Sequence, residues 1–114
     1  VPVALEVEGA RSLEPDVKIA LYRIAQEALN NVGKHSGASL AHVKLRYETN
    51  KVELHIIDNG HGFDIGKVDS GSLGIGIMRE RAGNIGASID IKSKIDEGTE
   101  VIAIWHDHVK EKGQ

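Results

Sequence analysis

Two kinds of hydrophobic periodicity alternate along this chain, and they constrain its fold more than any other feature. From Val17 to Val32, apolar residues recur every three or four positions, which is the period of a helix with one buried face. Pro15 suits the first turn of such a helix and Ser36-Gly37 suits its end, so the pattern predicts a helix over residues 15–35. On both sides of this segment apolar residues alternate with polar ones, which is typical of strands.

The alternating segments predict five strands around two helices. The strands fall at Val3–Val7, Ala41–Tyr47, Val52–Ile57, Ile89–Ile91 and Val101–Trp105, and the second helix includes Ile77–Ile85. The order β-α-β-β-loop-α-β-β predicts an α+β fold. We expect a two-layer α/β sandwich with the helices on one face of a mixed sheet.

Composition narrows the class of protein and of site. The chain has 114 residues, 40% of them hydrophobic, which is enough for one compact domain. It has no cysteine, so disulfides, thiolate zinc sites and cysteine nucleophiles are excluded. A net charge of −3 argues against general nucleic-acid binding, and no apolar run is long enough to span a membrane. We expect one domain over residues 1–106 and a polar tail over residues 107–114, cut from a longer protein.

The periodicity stops between Asn59 and Gly76, a segment with six glycines. Loops of this length inside a compact domain are usually functional. Just before it, Asp58 ends an apolar strand, and Gly60 and Gly62 allow a flat ligand to approach the backbone closely. A carboxylate in such a place can accept hydrogen bonds from an exocyclic amine such as that of adenine. The alternative is a plain Asx-Gly turn.

Polar residues also line the edge of the first helix. Glu27 and Asn31 are four positions apart and Lys34 follows three later, so the three side chains form one row. An amide oxygen can bind Mg²⁺ without adding charge beside a polyphosphate, and a lysine can pair with phosphate. The alternative is a solvated helix edge.

Two further segments are candidates for ligand contacts. Gly71–Gly76 precedes the second helix, whose first N–H groups form a ready phosphate site, although a flexible linker is the alternative. Neither a Walker A sequence nor a GxGxxG after the first strand is present. Gly98-Thr99 fits a hairpin turn, and Thr99 could present its hydroxyl beside Asp58 if the last strands neighbour the strand that ends there.

In this order, the four segments resemble the N, G1, G2 and G3 boxes of the GHKL ATPase superfamily. The boxes are Glu27–His35, Asp58–Gly62, Gly74–Ala82 and Gly98-Thr99. The end of the first box and the MRERA segment that follows the G2 glycines resemble, in particular, catalytic domains of two-component sensor histidine kinases of the nitrate-sensor type, the NarX/LiaS/DesK-like branch. The resemblance covers residues 2–105 and implies the Bergerat ATP-binding fold.

The resemblance implies a role for each matching position, with ATP and Mg²⁺ as cofactors. Asn31 would ligate Mg²⁺, Asp58 would bind the adenine amino group, and Thr99 would reach adenine through water. Glu27 matches the general base of the hydrolysing members, so Glu27 and Asn31 are the candidate catalytic residues, although the role of Glu27 in a kinase stays open. The other candidate ATP-binding residues are Lys34, His35, Gly60, Gly62, Gly74, Ile75 and Gly76.

The implied function is binding of Mg-ATP and transfer of its γ-phosphoryl group to a histidine on a separate helical dimerisation and phosphoacceptor domain. A response regulator would act downstream, and the domain would be cytoplasmic, with no nucleic-acid partner and no direct membrane contact. Histidines outside the first box fall in strands (His42, His55), in a loop (His61) and in the tail (His106, His108). Two alternatives stay open: a GHKL-fold ATPase or serine kinase of the anti-sigma-factor kind, and a non-catalytic nucleotide-binding module.

Overall fold

The order of elements predicted from the sequence is confirmed. The computed structural model describes residues 2–33, 37–64, 66 and 74–107. Within them the elements are β1 (Val3–Glu8), α1 (Pro15–Asn31), β2 (Ala41–Tyr47), β3 (Lys51–Asp58), α2 (Ile75–Asn84), β4 (Ser88–Ser93) and β5 (Thr99–His106).

The five strands form one mixed sheet in the order β1-β2-β3-β5-β4. β1 runs parallel to β2, because α1 connects them, and all other neighbours are antiparallel. β2 and β3 make the predicted hairpin. β5 lies between β3 and β4, and this crossover pairs Thr99 with Asp58 across adjacent strands.

Both helices pack on one face of the sheet, which confirms the predicted sandwich. α1 buries Leu21 and Ile24 against β3 and β5, and α2 buries Met78 beside them. In β3, Val52, Leu54 and Ile56 face this core, while Glu53 and His55 between them lie on the other face. The alternation read from the sequence is therefore the alternation between the core and the open face of the sheet.

β1 is the exception among the strands, because its apolar face is not covered by the helices. Val3, Leu5 and Val7 pair with Ala41, Val43 and Leu45 of β2 and so lie on the helical side of the sheet. Their side chains are nevertheless 49%, 68% and 52% exposed, respectively. The sequence pattern identifies β1 correctly as a strand but does not show that its apolar face is left uncovered.

The ends of three elements differ from the sequence prediction. α1 ends at Asn31, and Lys34 and His35, which were predicted on its last turn, lie outside the described residues. α2 begins at Ile75. The grouping of His106 with the tail histidines, which differs from the predicted domain boundary at residue 106, is wrong: His106 is the last residue of β5, because its backbone pairs with Lys51 of β3. The remaining tail, from residue 108, is also outside the described part.

No helix in the described part of the chain is both long and apolar enough to cross a membrane.

Candidate functional site

A cleft opens between α1, α2 and the ends of β3 and β5. It contains about 590 Å³ of space not filled by protein atoms, a volume that includes open solvent. Five residues predicted from the sequence line it: Asn31, Asp58, Gly62, Ile75 and Thr99. The other lining residues are hydrophobic and were not predicted as site residues: Ala28, Val32, Ile56, Phe63, Met78, Ile91 and Val101. The cleft is thus an apolar slot with a few polar groups on its walls.

Asp58 is the buried polar residue on the sheet side of the cleft, only 9% exposed. It ends β3 in register with the core-facing Ile56, so its side chain points toward the helices as the alternation requires. Its Oδ1 accepts a hydrogen bond of 2.8 Å from the backbone N–H of Gly60. Within the described residues, Oδ2 accepts none, so this oxygen is available to a ligand in the cleft.

Gly60 does not line the cleft. It is buried behind it, and its N–H fixes the orientation of the Asp58 carboxylate. The resemblance assigns Gly60 to the ATP-binding set; in the structure its contact is with Asp58.

Thr99 is the first residue of β5 and pairs with Asp58 at the end of β3. The two strands are neighbours, which is the condition under which Thr99 was expected beside Asp58. Its Oγ1 lies 2.8 Å from Oγ of Ser93, which in turn accepts a hydrogen bond of 2.8 Å from the N–H of Phe63. Sequence reasoning missed Ser93. The signal was present, since Ser93 follows Ile89 and Ile91 on the core-facing side of β4, just as Asp58 follows Ile56 on β3.

Close backbone packing holds the loop after Asp58 against the turn between β4 and β5. Gly62 has φ +63 and Gly98 has φ +79, which are left-handed conformations that favour glycine. A Cβ on Gly62 would overlap the carbonyl oxygen of Lys94, and one on Gly98 would overlap that of Asp58. The N–H of Asp96 also donates to the carbonyl oxygen of His61. The turn between β4 and β5 therefore supports the wall that carries Asp58 and Thr99.

On the helical side, the predicted polar row divides between two places. Asn31 lines the cleft. Glu27 is not in the lining; its carboxylate lies against Gly74, immediately before α2. Lys34 falls outside the described residues, as do Gly71 to Leu73.

The start of α2 closes the remaining side of the cleft. Gly74 is its N-cap with φ +64, and no side chain caps the helix. Ile75 is buried and faces the cleft, whereas Gly76, in the first turn, is exposed. The N–H groups of a first helical turn have no partners within the helix, so they can serve an anion at this end.

The described residues contain no group of three or more His, Cys, Asp or Glu that could hold a metal ion. Asn31 lines the cleft, and a single amide oxygen as protein ligand would suit only a cation that brings most of its other ligands with it. Mg²⁺ commonly does so, since it is held by one or two side chains together with substrate phosphates and water.

Residues 16–109 match the model of a family described as "Histidine kinase-, DNA gyrase B-, and HSP90-like ATPase". The chain belongs to this ATPase family. The resemblance read from the four boxes is thereby confirmed, and the cleft, which gathers Asn31, Asp58, Ile75 and Thr99, is the place where this ATPase fold brings all four boxes together.

Relatives of this ATPase domain are sensor kinases by name. It is 42% identical over 86 residues to "Signal transduction histidine-protein kinase/phosphatase DegS" of Brevibacillus brevis. The aligned region covers 75% of this chain and 22% of that protein. It is 37% identical over 103 residues to "Sensor histidine kinase LiaS" of Bacillus subtilis. That alignment covers 90% of this chain and 29% of LiaS. The domain thus spans less than a third of the length of these relatives, and similarity to LiaS agrees with the predicted branch.

Solved structures show the same fold at low sequence identity. The blue-light activated histidine kinase of Erythrobacter litoralis EL346 superposes with a TM-score of 0.72 at 19% identity, over 91% of this chain and 35% of that one. The ATP-binding domain of PrrB from Mycobacterium tuberculosis superposes with a TM-score of 0.65 at 20% identity. The superposition covers 92% of this chain and 80% of the PrrB chain. These likenesses confirm the α+β sandwich.

Proposed function

We propose that this domain binds Mg-ATP in the cleft and transfers the γ-phosphoryl group to a histidine of a separate helical dimerisation and phosphoacceptor domain, in two-component signalling. Family membership and the names of the relatives support the proposal. The observation that carries it is the placement of Asp58 and Thr99 on one wall of a cleft whose other walls hold Asn31 and the start of α2.

The apolar part of the cleft suits the purine ring. Ile56, Phe63 and Met78 offer hydrophobic contacts to a flat heterocycle, and Asp58 stands among them as an acceptor. The Asp58 oxygen that faces the cleft has no partner among the described residues, so a donor from the base would form a hydrogen bond to a charged acceptor there. The exocyclic amine of adenine is such a donor.

The triphosphate would extend toward Asn31 and the first turn of α2. The N–H groups near Gly74 and Gly76 would meet phosphate oxygens there, and Lys34 and His35, which follow Asn31 in the chain, would extend the same end of the site. Mg²⁺ bound with the nucleotide, with Asn31 as one ligand, would supply charge neutralisation. These assignments follow the boxes, and the presence of Asn31 and Ile75 in the cleft lining supports them.

Phosphoryl transfer depends on positioning and charge stabilisation more than on covalent catalysis by the protein. A histidine nitrogen of the partner domain would attack the γ-phosphorus, and ADP would leave with the bridging oxygen. This domain would hold the nucleotide, exclude water and present the γ-phosphate. The helical domain and the response regulator are the partners that the proposal requires, and the domain would act on the cytoplasmic side.

Calorimetric titration with Mg-ATP tests the binding site. We expect Asp58→Ala to abolish adenine discrimination and Asn31→Ala to remove the Mg²⁺-dependent part of the ATP affinity. Binding by both variants that matches the unmodified domain would contradict the proposal. Incubation with Mg-ATP and a separately produced helical domain should then yield acid-labile phosphate on that domain.

A hydrolytic role is the second candidate, and Glu27 is the residue on which it depends. A general base for hydrolysis must face the reacting phosphate. The Glu27 carboxylate does not line the cleft but lies against Gly74, beside the end of the site assigned to the phosphates. Steady-state ATP hydrolysis by the domain alone, lost in Glu27→Gln, would favour the ATPase over the kinase.

A further inference from the structure

Ser93 lies at the centre of three hydrogen bonds behind Thr99. Its Oγ accepts from the N–H of Phe63 at 2.8 Å, lies 3.1 Å from the carbonyl oxygen of Gly98, and lies 2.8 Å from Oγ1 of Thr99. Ser93 and Thr99 are directly paired residues of β4 and β5. Ser93 is half-buried and does not line the cleft, whereas Thr99 does.

Counting protons fixes the direction of these bonds. A serine hydroxyl has one proton and two lone pairs. The carbonyl of Gly98 can only accept, so the Ser93 proton points to it, and the two lone pairs accept from Phe63 and from Thr99. The reverse direction, with Ser93 donating to Thr99, would leave two oxygen lone pairs facing each other at 3.1 Å.

We propose that Ser93 is a positioning residue for nucleobase selection: it takes the only hydroxyl proton of Thr99, so that Thr99 offers the cleft lone pairs alone. The inference rests on the proposed function. It assigns selection of a 6-amino purine over a 6-oxo purine to a residue that does not touch the base.

The neighbouring carboxylate makes the polarity of this wall uniform. Oδ1 of Asp58 is bonded to Gly60, and Oδ2 can only accept. A water held between Asp58 and Thr99 would donate one proton to each and so would also offer the base only lone pairs. At C6, an amine finds acceptors on this wall either way, whereas an oxo group meets lone pairs. N1 of a 6-oxo purine carries a proton that an acceptor can take, so the selection is made where the C6 group itself faces Asp58 and Thr99.

Dissociation constants for ATP and for ITP, which carries an oxo group in place of the amine, test the proposal. We expect the unmodified domain to prefer ATP. In Ser93→Ala the Thr99 hydroxyl is free to turn and donate, so ATP should bind more weakly while ITP binds more tightly, and the preference should fall about tenfold, the value of roughly one hydrogen bond. Ser93→Thr, which keeps a hydroxyl at this position, should retain the preference.

A purely structural role for Ser93 gives a different result. Loosening of the turn between β4 and β5 would weaken both nucleotides by the same factor, and an unchanged ratio in Ser93→Ala would overturn the proposal. Thermal unfolding of each variant shows whether the domain remains folded.

Thr99→Val provides an independent measurement should Ser93→Ala not fold. Valine removes the hydroxyl without changing the shape of the side chain much. If Thr99 is an acceptor only, this change weakens ATP and leaves ITP unaffected or tighter, whereas equal weakening of both overturns the proposal. Absence of ATP binding by the unmodified domain would instead refute the proposed function itself.

Discussion

The carboxylate of Glu27 and the backbone of Gly74 are in direct contact, so that a Cβ on residue 74 would overlap Oε1 of Glu27. Glu27 belongs to α1 and Gly74 is the N-cap of α2. The contact therefore sets how closely the start of α2 approaches the helix that carries Asn31. It also explains why a glycine stands here, since its φ of +64 is left-handed as well.

Gly74→Ala should lower the free energy of unfolding by about 1–2 kcal/mol, chiefly because its φ is left-handed, since Oε1 of Glu27 ends a flexible side chain that can move aside. Chemical denaturation measures the effect. Adding Glu27→Ala should restore only part of it, since the overlap is relieved and the backbone strain is not.

Gly83→Ala is the matched control for this change. Gly83 also lies in α2, has no left-handed φ, and has no atom within 4 Å of an added Cβ. There alanine should raise the free energy of unfolding by about 0.5 kcal/mol through its better helix propensity. Equal effects at positions 74 and 83 would mean that neither the left-handed φ of Gly74 nor its contact with Glu27 has an energetic consequence.

Asp58→Asn should weaken ATP binding by about 10- to 100-fold, the usual value of a hydrogen bond to a charged group. Asparagine can keep its oxygen on the N–H of Gly60, which places its NH₂ group where the carboxylate oxygen faced the cleft. A donor would then meet the donor of the base. Isothermal titration calorimetry measures the change.

Asp64→Asn is the control, because Asp64 makes the same type of bond to the N–H of Gly66, two residues on, but is exposed and outside the cleft. We expect its ATP affinity to equal that of the unmodified domain. A loss of similar size in both variants would show that the effect of Asp58→Asn is not local to the cleft.

Ile24→Ala should destabilise the domain by about 2–5 kcal/mol, since Ile24 is completely buried between α1 and the sheet. Ile19→Ala, in the same helix, should change stability by less than about 0.5 kcal/mol, because that side chain is 55% exposed. Urea denaturation of the two variants compares the same substitution on the two faces of α1. Similar losses would contradict the packing of α1 described above.

Glu53→Gln should make the stability of the domain decline less steeply as the pH falls. Hydrogen bonding to Lys51, and next to His55, holds the pKa of Glu53 below its ordinary value of 4.5. The carboxylate thus contributes stability that is present above pH 4.5 and is lost as the pH falls through its lower value in the folded state. Thermal unfolding between pH 3 and 7 should show a shallower decline for the variant.

Salt provides the check on this prediction. The groups lie on the open face of the sheet, so the effect should be small and should shrink at high ionic strength. A decline in acid that is identical with and without Glu53 would refute it.

Much of the site could be predicted from the sequence because its residues stand at the ends of strongly periodic segments. Asp58 follows the alternating β3, and Asn31 continues the buried stripe of α1. The contacts of Gly60 and Ser93 could not be predicted in the same way, although Ser93 also ends a periodic strand. Their roles are bonds to Asp58 and Thr99, and these depend on which strands and loops become neighbours.

Local periodicity, which depends only on neighbours in the chain, determined the type and order of the elements, and the resemblance of the four boxes pointed to Asp58, Asn31 and Thr99. Tertiary structure decided what required long-range pairing. Insertion of β5 between β3 and β4 placed Thr99 opposite Asp58, and the approach of α2 to α1 put Glu27 against Gly74 instead of in the cleft. The tertiary structure also left the apolar face of β1 uncovered, because burial depends on where the helices lie and not on the alternation of a single strand.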